Sequence, residues 1–411
     1  MTSNLHRRHF LAQMICVPFA SYVGSRQISK YISSQDIDWV SIADDFHTSK
    51  KSIMNLNSGS AGNMPIPVLR KYIKYTEEIN SAAPYQILQS WNDQIEKNLQ
   101  RLSEHVGAQN GMVFLMRNCT EAMNAILWGI PLKRKCEVIY ASCDYNLMEN
   151  SLLHLQEKKK LKLKKINFGR LKNLTDAEIV KCYEDQITKK TKLIVVTHIT
   201  HREGQIMPVQ SICTMARKYN VEVLVDAAHA IGQVRHSIAD MDCDYYISSL
   251  HKWLNAPLGS GFLYVADERL PKLSPPFSYP QEYIDESIKL QYLGTRAYQN
   301  AMAIGDALDY LDTIGIKNKE ARLSELTAYW TDKLENDNRY EVITDISRSC
   351  AIASVKTRKK TSKLKKSLLN KYNINVKQSG YKGETFLRIS PNIFTLEKDL
   401  DKLLEALDAI G

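Results

Sequence analysis

The sequence predicts an α/β protein with a large, doubly wound, mostly parallel sheet and a smaller α+β unit after it. Between residues 111 and 265, short apolar runs alternate with helical segments, as in a parallel sheet covered by helices. From about Tyr298 the pattern changes to two long helical segments, short strands and a final helix. The chain of 411 residues is long enough for two such units.

Six apolar runs are predicted as strands of the large sheet. Two of them, 192–197 (KLIVVT) and 221–226 (VEVLVD), are rich in β-branched residues and end in polar ones. The predicted strands are 111–116, 136–141, 192–197, 221–226, 244–249 and 261–265, and the helices between them are 120–130, 146–157, 175–186 and 209–219. Such sheets bind ligands beyond the carboxyl ends of their strands, so we expect a site there.

The C-terminal part is predicted to form the smaller unit. Its predicted helices are 298–313, 319–334, 362–372 and 396–410, and its predicted strands are 340–342, 351–355 and 386–389. The sequence therefore predicts a large domain at 51–297 and a small domain at 298–411. An N-terminal arm at 27–50 and a basic leader at 1–26 precede them.

The leader has the pattern of an export signal. Its first 26 residues contain three arginines and no acidic residue. Arg7 and Arg8 are followed by Phe10, Leu11 and a mostly apolar stretch to Val23, which is typical of the twin-arginine route to the periplasm. The alternative is a basic arm that docks on the body of a cytoplasmic protein. The apolar stretch is too short for a stable membrane span.

The charge of the chain is the unusual number in its composition. Lysine and arginine number 55, aspartate and glutamate 45, and the net charge is +10. Much of the excess lies in two lysine-rich stretches, 158–165 and 356–366, predicted as an edge strand and as a helix start with a solvated face. Neither stretch interleaves aromatic with basic residues, so no nucleic-acid partner is predicted.

The rest of the composition is that of an ordinary globular protein. Hydrophobic residues make up 44% and charged residues 24%, which excludes a disordered chain. The eight cysteines are scattered, with no C-x-x-C pair and no metal-ligand spacing. The sequence therefore predicts no metal site, and most cysteines are interpreted as buried small apolar residues.

An aspartate and a lysine follow two neighbouring predicted strands. Asp226 ends the strand 221–226, and Lys252 comes just after the strand 244–249. A buried aspartate needs a positive partner, and these two side chains could face one ligand. Pyridoxal phosphate needs both groups: an acid that keeps its ring nitrogen protonated, and an amine that forms an imine with its aldehyde. The plain alternative is an aspartate that caps a turn and an exposed lysine.

Two further features suit a phosphorylated ring. The segment 118–122 (NCTEA) lies between a predicted strand and a predicted helix, and Thr120 is expected to cap that helix, whose free amides favour an anion. Neither G-x-G-x-x-G nor a Walker sequence occurs, so a nucleotide site is not the better explanation. Tyr145 could lay its aromatic face on a ring, although packing is the plain alternative.

With these segments in place, the chain resembles the class V aminotransferase group of fold-type I pyridoxal-phosphate enzymes, most of all its isopenicillin N epimerase-like branch. The resemblance covers nearly the whole chain after about residue 50, and its lysine segment is specific. The matching segments, in order, are 57–60 (NSGS), 117–124 (RNCTEAMN), 144–146 (DYN), 197–209 (THITHREGQIMPV), 225–233 (VDAAHAIGQ), 249–265 (SLHKWLNAPLGSGFLYV), 294–296 (GTR) and 387–390 (LRIS).

The resemblance implies a role for each matching residue. Lys252 would form the Schiff base with pyridoxal 5'-phosphate, Asp226 would pair with its ring nitrogen, and His229 would approach its ring hydroxyl. Tyr145 would stack on the ring, and His198 would lie near the ring hydroxyl or the substrate. The residues implied around the phosphate are Thr120, Glu121, Ser249, His251 and, from a partner subunit, Thr295. The last of these implies a homodimer.

On the substrate side, the resemblance implies that Arg388 clamps an α-carboxylate, with Asn57 beside it. Two departures bear on this side: Ala297 stands where the family often has aspartate, and 391–394 (PNIF) replaces the usual segment after the arginine. Cysteine desulfurases of this class need a cysteine on the loop before that arginine. Residues 373–387 contain none, and Cys350 lies in an apolar run.

The predicted function is chemistry at the α-carbon of an amino acid or an amino-acid-bearing substrate. Removal of the α-proton is common to epimerisation and transamination, and the sequence identifies no second base for epimerisation. A desulfurase or lyase reaction on the same site is one alternative. The other is a basic binding protein that keeps the fold without chemistry, which the presence of both Lys252 and Asp226 disfavours.

Overall fold

The β-branched runs form the centre of a seven-stranded sheet in the computed structural model of the chain. The strand order across the sheet is β2-β8-β7-β6-β5-β3-β4. Its strands are β2 (Gly111–Met116), β3 (Glu137–Ala141), β4 (Lys162–Ile166), β5 (Thr191–Thr197), β6 (Glu222–Asp226), β7 (Tyr245–Ser249) and β8 (Gly261–Ala266). Strands β3 to β7 pair in parallel, and β8 is antiparallel to both neighbours. This confirms the predicted mostly parallel sheet.

The structure describes residues 37–46, 53–108, 111–277, 288–381 and 383–410. The predicted export signal at 1–26 and most of the predicted arm lie outside these ranges, so both stay predictions. All described residues fall within one compact unit, Ile37–Gly411. No described helix is both long and apolar enough to cross a membrane.

Helices cover both faces of the large sheet, as a doubly wound fold requires. The helices up to the end of this sheet are α1 (Trp39–Asp44), α2 (Ile66–Ser81), α3 (Pro84–Ser90), α4 (Asn92–His105), α5 (Cys119–Gly129), α6 (Asn146–Lys159), α7 (Asp176–Glu184), α8 (Val209–Arg217) and α9 (Ile238–Met241). Helices α5 and α6 pack on one apolar face and α8 on the other. Alternate residues of β6 face each side, so Leu224 joins one core cluster and Val225 the other.

The first lysine-rich stretch is only partly an edge strand. Helix α6 continues to Lys159, and Lys160 ends it with a left-handed φ of 55°. Strand β4 then runs along the edge of the sheet, with Lys162 and Lys165 exposed and Lys164 paired with Glu137 at 2.9 Å. The first lysines of the stretch therefore belong to the end of helix α6, and only the residues from Lys162 onward form the strand.

The C-terminal part forms the predicted α+β unit. Its elements are α10 (Tyr298–Ile314), α11 (Ile316–Leu334), β9 (Tyr340–Val342), β10 (Ala353–Thr357), α12 (Thr361–Tyr372), β11 (Ile374–Asn375), β12 (Lys377–Tyr381), β13 (Glu384–Ile389) and α13 (Glu397–Ile410). An antiparallel sheet in the order β12-β13-β10-β9 packs on α11, α12 and α13. Helix α10 packs against α2 and α4. The domain bounds 51–297 and 298–411 stay a prediction.

A short parallel pairing joins a strand near the start of the described chain to one in its C-terminal part. Strand β1 (Met54–Asn55) pairs with β11, and Asn57 forms an isolated bridge with Ser390. This places the segment after β1 beside the end of β13, which carries Arg388. Two parts of the chain that are about 330 residues apart thus meet at one place.

Candidate active site

Asp226, His229 and Lys252 lie where parallel strands of the large sheet end. Thr197 pairs with Asp226 at the ends of β5 and β6, and Asp226 pairs with Ile247 of β7. Because these strands run in the same direction, the loops that follow them leave the same edge of the sheet. His201, His229 and Lys252 are on those loops.

Asp226 is held so that one of its oxygens is occupied. The residue is 4% exposed. Its Oδ1 accepts a bond from the Cys119 thiol at 3.1 Å and from the Ala228 amide at 3.0 Å. Neither bond uses Oδ2, which suits that oxygen to a ring N–H, as predicted.

Lys252 lies beside His229 and interacts with this carboxylate. Burial lowers the pKa of Lys252 to about 8, and the charge of Asp226 opposes that shift. The Lys252 Nζ lies 3.4 Å from the Nε2 of His229. The indole N–H of Trp253 donates to the His229 Nδ1 at 3.2 Å, so the proton of the neutral ring is on Nε2 and points at the amine. Burial, and next the Lys252 charge, lower the pKa of His229 well below its usual value, so the ring stays neutral.

The start of α5 forms the predicted phosphate end. The capping residue is Asn118, whose side chain accepts the Glu121 amide at 2.9 Å, so the prediction that Thr120 caps this helix is wrong. Thr120 lies in the first turn instead. The hydroxyl of Ser249 accepts the Cys119 amide at 3.0 Å, which joins the end of β7 to the helix.

Two of the predicted phosphate ligands differ in what they could offer. The Nδ1 of His251 is buried with no hydrogen-bond partner in the described residues, which suits it to a bound anion. Glu121, in contrast, is paired with Arg117 at 2.8 Å. A carboxylate offers no donor to a phosphate, so the structure gives no support to its predicted role.

Thr295 is exposed and lines a cavity of about 700 Å³ that also borders Arg117 and Ser260. Its predicted contact is with the phosphate of a partner subunit. One chain does not test that contact, and it stays a prediction.

Arg388 is a buried cation whose bonds all go to neutral groups. The residue is 4% exposed. Its guanidinium donates to the His201 carbonyl at 2.9 Å, to the Asn57 Oδ1 at 2.9 Å and to the Ser60 hydroxyl at 3.0 Å. Its Nε is buried without a partner in the described residues, and burial lowers its pKa to about 10. This arrangement suits a carboxylate ligand, and it places Asn57 beside the arginine as predicted.

His201 is a site residue that the sequence analysis missed. Its ring meets the exposed Tyr145 edge-on, with 5.1 Å between the ring centroids. The His201 Nε2 accepts from the Arg202 Nε at 3.3 Å, so the ring proton is on Nδ1, which is buried without a partner in the described residues. The sequence feature that could have identified His201 is its position on the loop after β5, at the same sheet edge as Lys252.

His198 has a partner away from the other site residues. Its Nδ1 lies 3.2 Å from the hydroxyl of Tyr246, which in turn lies 2.7 Å from the His236 Nε2. Burial lowers the pKa of His198 well below its usual value. The structure thus engages this ring in the core, and its predicted contact with the cofactor or substrate stays a prediction.

The sheet-end lysine, the aspartate and the buried arginine define a fold-type I enzyme site. The sequence model of the aminotransferase class-V family matches residues 53–403. The chain belongs to this family, whose enzymes depend on pyridoxal phosphate. The free oxygen of Asp226, the low pKa of Lys252 and the unpartnered nitrogen of His251 fit that cofactor.

Relatives and solved structures agree with this assignment. The chain is 25% identical over 379 residues to the isopenicillin N epimerase of Streptomyces clavuligerus, which covers 87% of this chain and 95% of the relative. It is 28% identical over 296 residues to a probable cysteine desulfurase of Synechocystis sp., over 67% and 69% of the two chains. These matches confirm the predicted resemblance.

Solved structures show the fold. A C-DES variant with glycine covalently linked to its PLP cofactor has a TM-score of 0.80 at 19% identity, over 89% of this chain and 98% of that one. The cysteine desulfurase CsdA from Escherichia coli has a TM-score of 0.80 at 18% identity, over 91% and 98%. The predicted fold class, a fold-type I transferase, is therefore confirmed.

Proposed function

We propose that the protein acts at the α-carbon of an amino acid or an amino-acid-bearing substrate, by epimerisation or transamination, as its isopenicillin N epimerase relatives suggest. The observation that carries the proposal is the Lys252 amine. It has a pKa of about 8, lies 3.4 Å from a neutral histidine and interacts with the buried Asp226. Such an amine is partly unprotonated near neutral pH and can accept a proton.

The other residues bind and orient. The Arg388 guanidinium would hold the substrate carboxylate, and the Asp226 Oδ2 would keep the proton on the cofactor ring nitrogen. When bound, the cofactor withdraws electrons from the α-carbon. Lys252 would then hold and move the α-proton, while the His229 Nε2–H keeps the amine in place.

Desulfuration and C–S cleavage are the second candidate, because probable cysteine desulfurases are among the relatives. Cys350 does not support a desulfurase: it is 2% exposed, its thiol contacts the Gln233 carbonyl at 3.5 Å, and burial raises its pKa to about 12. Elimination needs no cysteine nucleophile: it would begin with the same α-proton removal, after which the C–S bond breaks and the sulfur group leaves as a thiol or sulfide. Pyruvate or sulfide release would identify it.

We propose further that the protein is a homodimer. The exposed segment with Thr295, beside a cavity that also borders Arg117 and Ser260, is suited to reach a partner's site. The proposal rests on the family resemblance and on this exposure.

The function is tested by deuterium exchange at the α-carbon. The purified chain, loaded with pyridoxal phosphate, is incubated in D₂O with a panel of L- and D-amino acids and peptides that carry a free α-amino group. We expect the visible band of lysine-bound cofactor and α-deuteration of at least one substrate class. Chiral analysis then separates epimerisation from transfer to an added 2-oxo acid. A chain that stays colourless with added cofactor contradicts the proposal.

We expect Arg388→Met to raise the KM of the substrate found in this panel by about 10- to 100-fold, with a smaller change in kcat. The reason is that hydrogen bonds to a charged group contribute roughly 1.5–3 kcal/mol each. Arg388→Lys keeps the charge but not the planar guanidinium, so its KM should lie between those of the wild type and Arg388→Met. An unchanged KM in a folded Arg388→Met protein would exclude the carboxylate contact.

A further inference from the structure

The segment that carries Lys252 is held closely by two glycines. The Gly62 amide donates to the His251 carbonyl at 2.9 Å, and a side chain at position 62 would collide with the Lys252 carbonyl oxygen. Gly232, with a φ of +76°, lies so close that a Cβ would approach the Leu254 amide to 2.6 Å. Such close contacts fix the backbone from two sides.

A buried lysine holds the same segment from a third side. Lys319, near the start of α11, is 2% exposed. Its amine donates to the carbonyl of Trp253 and, at 3.0 Å, to the Oδ1 of Asn255. Asn255 has a left-handed φ of 63°, and its amide nitrogen donates to the Asn63 carbonyl at 2.8 Å.

These bonds continue to the Lys252 amine. Lys319 holds the Trp253 carbonyl, the Trp253 indole donates to the His229 Nδ1 at 3.2 Å, and the His229 Nε2 lies 3.4 Å from the Lys252 Nζ. Trp253 is fully buried, so its indole has little room to turn. We propose that Lys319 is a positioning residue, which fixes Trp253 so that His229 keeps its Nε2–H directed at the Lys252 amine. This inference rests on the proposed role of Lys252.

The chemistry of the Lys319 site explains why an amine is present in an apolar environment. Burial lowers the pKa of Lys319 to about 7. An unprotonated amine has two N–H groups, which match its two acceptors, the Trp253 carbonyl and the Asn255 side chain. A methionine would fill a similar volume but leave both acceptors without a donor, which is costly inside a protein.

The test measures Lys252 itself. The chain without cofactor is treated with pyridoxal phosphate and borohydride between pH 6 and 10, and reduced adducts are mapped to lysines by mass spectrometry. The variants are Lys319→Met, Trp253→Phe and, as a matched control, Arg322→Met. Arg322 lies buried on the same helix, but it binds Glu397 at 2.5 Å rather than the lysine segment. Asp226 and Arg388, whose charges act on the Lys252 pKa, are unchanged in all three.

We expect Lys319→Met and Trp253→Phe to raise the pH midpoint of Lys252 labelling towards the ordinary lysine value. Labelling near neutral pH should fall by about tenfold for each pH unit by which the midpoint rises. Trp253→Phe changes no charge. If the midpoint rises in both Lys319→Met and Trp253→Phe, a direct effect of the Lys319 charge cannot be the cause. Arg322→Met should leave the midpoint unchanged. Trp253→Phe alone tests only the bond from the indole to His229, so if Lys319→Met does not fold, Lys319→Leu takes its place.

Two outcomes would overturn the inference. A midpoint that stays at the wild-type value in both variants, with Lys252 still labelled, contradicts the positioning role and leaves the proposed function intact. The absence of Lys252 labelling in the wild-type chain contradicts both.

Discussion

Lys252→Ala is expected to lower deuterium exchange at the substrate α-carbon by about 10²–10⁴-fold or more and to remove the visible band of lysine-bound cofactor. The amine is both the group that binds the cofactor aldehyde and the group placed to accept the α-proton. Removing it leaves a space beside His229 and Asp226. A small primary amine such as methylamine should therefore restore part of the exchange.

Methylamine rescue separates a lost amine from a damaged fold. A variant that loses exchange and is not rescued, but keeps wild-type stability and cofactor affinity, would show that Lys252 acts only through its covalent link. A variant that exchanges the α-proton at the wild-type rate would contradict the assignment of Lys252.

The same variant tests the pKa of Lys252 through stability. The folded-state pKa of about 8 lies below the ordinary value of 10.5, so the unfolded chain binds more protons between these two pH values. In the chain without cofactor, where the Lys252 amine is free to titrate, wild-type stability should therefore rise with pH in this window relative to Lys252→Ala. Because the side chain is only partly buried by area, the rise should be less than roughly 1.4 kcal/mol per pH unit. Urea midpoints at pH 7, 8.5 and 10 measure it.

The sequence could predict the chemistry at the sheet edge because local patterns determine it. Apolar runs end at Asp226 and just before Lys252, and parallel strands bring such ends together. The position of His229 three residues after Asp226 follows from the same pattern. The structure brings these three side chains together as predicted, and their roles toward a cofactor stay predictions.

The remaining contacts depend on pairs that are distant in the sequence. Arg388 meets Asn57 only because β1 pairs with β11, and Lys319 reaches Trp253 from a helix 66 residues further along the chain. Even between residues close in sequence, the pattern does not decide which one caps helix α5. Asn118 and Thr120 can both cap a helix, and the backbone that enters α5 favours Asn118.

Asp226→Asn is expected to reduce α-proton exchange on the order of 10²–10³-fold, the usual size for the loss of one fixed electrostatic contact. The amide has the same shape, and its oxygen can still accept from Cys119 and Ala228, so the fold should be kept. The negative charge that would keep the ring nitrogen protonated is lost. Loss of Asp226 also removes a charge that raises the Lys252 pKa, so Lys252 becomes less protonated.

Because Asp226→Asn lowers the Lys252 pKa, a loss of activity in this variant has one explanation fewer. A slower reaction cannot be attributed to a protonated lysine, since the substitution favours the free amine. Cys119→Ser is the matched control: it keeps a donor to the Asp226 Oδ1 and the carboxylate charge, and it should change exchange by only a few fold. Exchange rates measured against pH for both variants decide the matter. If the α-proton exchanges as fast in Asp226→Asn as in Cys119→Ser, the role of Asp226 is to fix the loop after β6 and not to keep the cofactor ring nitrogen protonated.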